Sequence, residues 1–571
     1  MHQNNALSSS LRNPRNKNLI CNVLSTTTKC RKNLPQILAV CVKNVMLIGF
    51  GMTLGFPTVL IGGLEDSKVD FQMTHEQLSW IGAINLIFVP LGCLVSGPYC
   101  DKFGRKKAMQ MANIPLALVW LLFRYSSSPW HLYLALSVIG ILLGLIEAPV
   151  VTYVSEVTTP NLRGILFSTS TLFTILGTLC SFFLGSIYYW RSVAQIAFLV
   201  PLISINLLFL IPESPHWLIK MNRFDDAQKS LAWLRGWVTK EDIHQEYATL
   251  NAFIHNNPTS ESKPTSCFNY TSPSFLKPYF LISVVFFLRH FSGITNIQTY
   301  AVEIFQHLHA PMDKYNATTF MGVFELLGCI TCVCLIRRLG KRKLTFFTMG
   351  CSIIALSTIP IYSYGSLGKD RNWIPMSGLF AYCFFQHCSL RTLPWILIGE
   401  VYTPQTRSIA SGISAATGYF FGFFANKLFY GLVNELTLNG VFIMYMLVLF
   451  FGGCVLYVIM PETEGKSLEE ICEYFANSRN DKNSVDGERI ERNNNNNKEI
   501  KEYKGSHKDL YATNKETVDS DKDNDDNITY NKVKARRTDS SDDYIQSLNR
   551  LAANDSGPSY KRFESLNLND I

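Results

Sequence analysis

Six ionisable residues stand inside apolar stretches that otherwise carry little charge: Glu147, Arg289, His290, Glu325, His387 and Arg391. A charge at the centre of a lipid-facing helix costs roughly 2.5 to 3.5 kcal/mol, so each of these groups needs water, a partner or a solute. Acids and bases placed this way can bind a polar solute, hold a proton or tie helices together. For His290 and His387 the plainer reading is a neutral imidazole bonded within a bundle, set against proton handling.

A second set of charges recurs along the chain. Glu156 to Arg163 and Glu400 to Arg407 both read E-V-x-T-P-x-x-R and lie 244 residues apart. Gly104-Arg105-Lys106 and Gly340-Lys341-Arg342 are 236 apart, and Ile211-Pro212-Glu213-Ser214 and Met460-Pro461-Glu462-Thr463 are 249 apart. Three signals in one order at nearly one offset imply a duplicated half. Asp101, Arg105, Glu156, Arg163 and Glu213 in the first copy, with Arg342, Glu400, Arg407 and Glu462 in the second, put acids and bases at the ends of several helices. Such groups can form a network when two halves close on that side and lose it when they part. The plainer reading is a set of charges anchoring helix ends.

The 244-residue offset also carries Glu147 onto Arg391. Glu147 precedes Glu156 by nine residues, about 13.5 Å of helix, which places it near the bilayer midplane. The duplication therefore sets an acid and a base at equivalent depths. They could form a fixed ion pair, a pair that changes during a cycle, or contacts to a solute. A shift of either run by a few residues would separate them. Arg289 could compete for Glu147 or pair with Glu325.

The elements that position these groups are long apolar runs. At 47% hydrophobic and 17% charged, the 571-residue chain is apolar for a soluble protein, and its mean hydropathy of +0.11 averages two unlike regions. Twelve runs near the length of a bilayer span fall at about 35–63, 78–99, 108–126, 131–155, 165–188, 193–212, 277–307, 316–336, 344–365, 374–399, 409–432 and 438–460. The expected organisation is a basic cytosolic tail (1–34), a six-helix half (35–212), a cytosolic linker with short helices (213–276), a second six-helix half (277–460) and a cytosolic tail (461–571). From about Ala476 that tail is rich in Asn, Asp, Lys and Ser and is expected to be disordered.

Lysine and arginine set the expected orientation. Arg12, Arg15, Lys17, Lys29, Arg31 and Lys32 precede the first run, whereas Glu65, Asp66, Asp70 and Glu76 dominate the loop after it. Both termini are therefore expected in the cytoplasm. The +8 net charge follows from these inside-facing loops, and no nucleic-acid motif accompanies it. None of the 15 cysteines falls in an expected outer loop, so no disulfides are expected. No nucleophile-base set or metal-ligand cluster is apparent, and neither an enzyme nor a cofactor is expected. Asn316-Ala317-Thr318 is a glycosylation sequon close to the membrane.

Gly97 to Lys106, Glu156 to Arg163, Pro212 to Pro215, Pro394-Trp395 with Glu400 to Arg407, and Pro461 to Gly465 with Leu468-Glu469-Glu470 resemble, in order, the motifs of the sugar porter family of the major facilitator superfamily. The resemblance covers about residues 35 to 472 and is greatest to the insect branch of facilitated trehalose transporter-like proteins. It implies an all-α membrane protein of twelve helices in two pseudo-symmetric halves, moving a sugar through a central cavity by alternating access in the plasma membrane. Helices one, four, seven and ten would line that cavity.

With the intramembrane charges and the family's cavity positions taken together, the expected cavity set is Glu147, Thr171, Arg289, His290, Thr295, Asn296, Glu325, His387, Arg391 and Trp395. Here the chain departs from the family. The helix-seven stretch Arg289-His290-Phe291-Ser292-Gly293-Ile294-Thr295 replaces a glutamine pair, and Gly418 and Gly422 replace helix-eleven asparagines. Thr53 stands where proton-coupled members carry an aspartate, which points to facilitated diffusion of trehalose or a hexose. The alternatives are a carrier of another small polar or charged solute, with or without proton coupling, and a nutrient sensor that signals through its tail.

Overall fold

The structure, a computed structural model, describes residues 14–66, 72–256, 273–364, 372–402, 407–464, 470–471 and 474–475. The tail expected to be disordered lies outside the described residues.

The apolar runs are helical, because a bilayer leaves backbone amides no water partner and each segment must satisfy its own. Six runs are single helices: Pro14–Asp66, His75–Phe103, Arg105–Arg124, Pro160–Ile187, Lys314–Leu339 and Lys341–Tyr364. Four are broken. The fourth run is Pro129–Leu145 then Glu147–Val157, and the sixth is Trp190–Ala197 then Leu199–Phe209. The seventh is Pro273–Phe291, Ile294–Thr299 and Ala301–His307, and the tenth is Trp373–Cys388 then Leu393–Val401. The last two runs form Arg407–Ile459, turned at Thr437, where φ is 63° and ψ is 164°. This is the twelve-segment major facilitator fold.

Among the described residues, eight helical stretches are long and apolar enough to cross a membrane by length and composition, Ala410–Ile459 being long enough to do so twice. The third, seventh and tenth runs fall short: basic residues open the third, and the seventh and tenth are broken at 292–293 and 389–392, over more than the single residue that interrupts the fourth and sixth.

Segment one packs on five and segment two on four; seven packs on eleven, and ten on eight and nine. Gly140 and Gly144 of segment four lie so close to the carbonyls of Asn85 and Val89 that a Cβ has no room at either position. Small residues of this kind let membrane helices approach where no hydrophobic drive between them exists.

Two turns mirror each other. Gly104 (φ 88°) joins segments two and three, and Gly340 (φ 80°) joins segments eight and nine. Both conformations are accessible to glycine at little cost. A Cβ at Gly104 would lie 2.7 Å from Glu213 Oε2, and one at Gly340 would lie 2.8 Å from Glu462 Oε2.

Between the two sets of six lie short helices, Pro215–Lys220, Phe224–Leu234 and His244–Asn256. They are attached to the bundle: Trp217 Nε1 donates to the Asp101 carbonyl at 2.8 Å, and Arg235 Nη1 donates to the Val157 carbonyl at 3.5 Å. On the exposed side, hydrogen bonds from Lys229 and Lys240 pull the Asp225 carboxyl down to about 2.

The hydrogen bonds that join the two sets of six gather at the end remote from the Gly104 and Gly340 turns. Asn426 donates to the Gly82 carbonyl at 2.7 Å, Lys427 to Ser79 Oγ at 2.8 Å, and Thr58 to the Gln298 carbonyl at 2.7 Å. There is little slack at these contacts. A Cβ on Gly62 would sit 2.8 Å from Val302, and one on Gly322 would sit 3.0 Å from Phe182.

Candidate functional site: a charged cavity between the two halves

The breaks in segments four, seven and ten carry the buried charges. Glu147 opens the second piece of segment four. Arg289 and His290 close the first piece of segment seven, before left-handed Gly293 (φ 101°) restarts it. Arg391 lies in the non-helical link of segment ten, its N–H donating to the Gln386 carbonyl at 3.0 Å. Irregular backbone at membrane depth is tolerated where it lines a cavity.

That cavity measures about 290 Å³ and takes its walls from segments one, two, four, five, seven, ten and eleven. Of the residues expected from the sequence, Glu147, Thr171, Arg289, His290, Thr295, Arg391 and Trp395 line it. Asn296, Glu325 and His387 do not. Asn296 turns toward the last segments, donating to the Ala425 carbonyl at 3.0 Å and to Tyr445 Oη at 2.8 Å. Glu325 and His387 are fully buried behind the wall, with His387 Nε2 3.8 Å from Glu325 Oε2 and His387 Nδ1 2.9 Å from the Cys383 carbonyl. The two histidines are bonded within the bundle, since His290 Nδ1 meets Thr295 Oγ1 at 2.8 Å.

Gln298 was not singled out from the sequence, yet it lines the cavity and connects it to the buried acid. It accepts from Arg391 Nη1 at 3.2 Å and donates to Glu325 Oε2 at 2.9 Å. Its signal was position, one helical turn beyond Ile294 on the restarted helix. Lys43 was also missed although it stands in the first apolar run. It is wholly buried and donates to Ser170 Oγ, a cavity residue, at 2.7 Å.

Glu147 and Arg391 do not pair in this conformation. The nearest polar partner of Glu147 is Cys93 Sγ at 3.6 Å, and the base whose charge bears on it is Arg289. The acid that bears on Arg391 is Glu325. Repeat symmetry fixes depth in the membrane but not which way a long side chain turns, and Gln298 draws Arg391 toward segment eight.

The glycines that replace family asparagines have a steric cause. A Cβ on Gly418 would come within 2.6 Å of Phe286, and one on Gly422 within 2.9 Å of His290. The larger groups of segment seven occupy the space. Trp395 meets Phe286 edge-on at 5.5 Å between ring centroids and forms an aromatic wall with Tyr419 at 6.2 Å.

At the basic turns, the repeated motifs build two parallel networks, each within its own set of six. Arg105 pairs with Glu156 at 2.8 Å and Asp101 at 3.5 Å, while Ser214 hydrogen-bonds Glu156. Glu213 accepts from the backbone N–H groups of Arg105 and Lys106 at 3.0 Å, the anion seat of a helix N-terminus. In the second copy Glu462 accepts from Lys341 and Arg342 at 3.1 and 3.0 Å. Lys341 pairs with Glu400 at 2.6 Å and Glu464 at 2.9 Å, and Thr463 donates to Glu400 at 2.9 Å.

Two expected members differ. Lys341, not Arg342, supplies the paired side chain, because the residue directly after the turn glycine faces inward; Arg342 donates outward to the Tyr457 carbonyl at 2.9 Å. The Arg163 side chain is exposed and makes no hydrogen bond or ion pair among the described residues. The Arg407 side chain lies outside the described residues.

At the remote end Glu65, His75 and Glu303 bring potential ligand atoms within 4.8 Å of one another, a grouping that could hold a cation. It was not visible from the sequence because the three come from segments one, two and seven. Glu303 already accepts from Tyr430 Oη at 2.7 Å.

The sequence profile of the family described as "Sugar (and other) transporter" matches residues 28–475. The facilitated trehalose transporter Tret1 of Polypedilum vanderplanki is 27% identical over 444 residues, covering 76% of this chain and 87% of that protein. Tret1 of Anopheles gambiae is 26% identical over 431 residues, covering 75% of this chain and 54% of that protein, so the chain spans about half of that longer relative. Among solved structures, the partially occluded inward-open conformation of the xylose transporter XylE from E. coli superposes with a TM-score of 0.63 at 17% identity, covering 76% of this chain and 99% of that one. XylE bound to 6-bromo-6-deoxy-D-glucose gives 0.61 at 18% identity, covering 78% and 100%. Both likenesses are of fold.

Proposed function

Because this chain belongs to the family of sugar (and other) transporters, we propose that it carries a sugar, trehalose or a hexose, across the plasma membrane by facilitated diffusion. The observation that carries this reading is the cavity between the two halves, lined where the helices of segments four, seven and ten are interrupted and sealed at one end by Asn426, Lys427 and Thr58. With the basic turns in the cytoplasm, as the loop charges favour, the sealed end is extracellular and the conformation faces inward. Residues 35–212 and 277–460 are then the two moving halves, and 213–276 is a cytosolic brace. Each inner network of Arg105 or Lys341 keeps its half rigid while the halves rock about the cavity.

Passive transport follows from Thr53. Its hydroxyl is buried and donates to the Phe50 carbonyl at 2.7 Å, outside the cavity wall, where a neutral group cannot carry a coupling proton. Trp395 and Tyr419 offer flat apolar surface to a sugar ring, while Asn85, Thr171, Thr174 and Thr295 offer groups for its hydroxyls. The test is flux of labelled trehalose and glucose into vesicles containing only this protein. Uptake above that of empty vesicles is expected. Its absence, with a cellular response that depends on the tail, would favour a sensor.

A further inference from the structure

The charges that face the cavity do not balance. Two guanidinium groups, Arg289 and Arg391, line it against one carboxylate, Glu147, since Glu325 lies behind the wall. The charge of Arg391 bears on Arg289, and Glu147 is the one carboxylate that shares the cavity lining with them. Arg391 has an amide acceptor in Gln298. Arg289 has none: its Nε and Nη1 are buried and make no hydrogen bond.

A buried donor left without an acceptor is costly, and a charged one more so. A neutral sugar hydroxyl would satisfy such a group with a single ordinary hydrogen bond. A carboxylate or phosphate would satisfy the planar fork with two charge-assisted bonds and also relieve the repulsion between the arginines. Behind the same wall, Lys43 donates to the cavity residue Ser170 at 2.7 Å.

We propose that the solute held in this cavity carries one anionic group, a carboxylate or a phosphate, on a polyhydroxylated body, with Arg289 and Arg391 holding the anion and the Trp395–Tyr419 wall and neighbouring hydroxyl and amide groups holding the ring. The inference rests on the carrier reading above and revises its cargo: an acidic sugar is carried in preference to neutral trehalose or glucose.

The experiment uses the full chain in vesicles and four labelled probes: glucuronate, glucose 6-phosphate, glucose and trehalose. Expected is uptake of at least one of the two acidic probes about tenfold faster than of either neutral sugar. Which acidic probe moves separates carboxylate from phosphate. In Arg289→Gln the ratio of acidic to neutral uptake should fall about tenfold, whereas Arg289→Lys, which keeps the charge but not the fork, should lose less. If Arg289→Gln does not reach the membrane, Arg391→Gln provides the same ratio. Uptake of glucose or trehalose without either acid would overturn the inference and leave the carrier reading intact. A ratio unchanged in both glutamine variants would also overturn it. Failure of all four probes to cross would overturn both.

Discussion

Arg391 and Glu325 are coupled through a single amide: Gln298 accepts from the arginine at 3.2 Å and donates to the acid at 2.9 Å. The base faces the cavity and the acid does not, so occupation of the cavity can be felt on segment eight without direct contact. The Gln298 carbonyl also accepts from Thr58 at 2.7 Å, so one residue bonds the cavity wall to the opposite half.

Gln298→Leu should therefore lower stability by roughly 1–3 kcal/mol, because it strands a buried donor and a buried acceptor at once. Thermal unfolding of the purified protein measures this. An unchanged midpoint would show that the amide bridge contributes nothing.

The absence of a contact between Glu147 and Arg391 gives a second expectation. In protein held in the present conformation, Glu147→Gln and Arg391→Gln should destabilise additively to within about 0.5 kcal/mol, while Glu147→Gln with Arg289→Gln should couple more strongly. A double-mutant cycle read by thermal unfolding decides it. Strong coupling of Glu147 to Arg391 would mean that the repeat-related charges meet after all.

The inner networks give a third. Arg105→Ala leaves Glu156 without its partner in a largely buried site and should cost roughly 3–5 kcal/mol; Lys341→Ala should behave alike for Glu400. Arg163→Ala removes an exposed, unbonded side chain and should change stability by less than about 0.5 kcal/mol. If Arg163 engages only when the inner end closes, that variant should still slow transport. Wild-type rates in it would remove Arg163 from the gate, and unchanged stability of Arg105→Ala would show that the inner network does not hold its half rigid.

The twelve segments were legible in the sequence because hydropathy over a membrane span needs no knowledge of packing, and the repeated motifs located both turn networks but not every member of them. What was not legible depended on direction. Lys341 and Arg342 are adjacent bases, and only the geometry after Gly340 decides which one faces Glu400. Asn296 and Gln298 share one restarted helix, yet the first turns toward Tyr445 and the second toward the cavity. Glu325 was expected in the wall and sits behind it, since a buried acid between segments eight and ten finds Gln298 and His387 there. Lys43 was overlooked in the first apolar run.

The most direct test of passive carriage is the end point of uptake. Vesicles containing the protein are given a labelled solute that it moves, with and without an imposed pH gradient, and the internal concentration is followed to its plateau. With Thr53 in place of a proton-carrying acid, the expected plateau equals the external concentration for a neutral sugar and is the same in both conditions. Accumulation of a neutral sugar above the external concentration, driven by the pH gradient, would contradict facilitated diffusion and move the proton to Glu147 or Glu325.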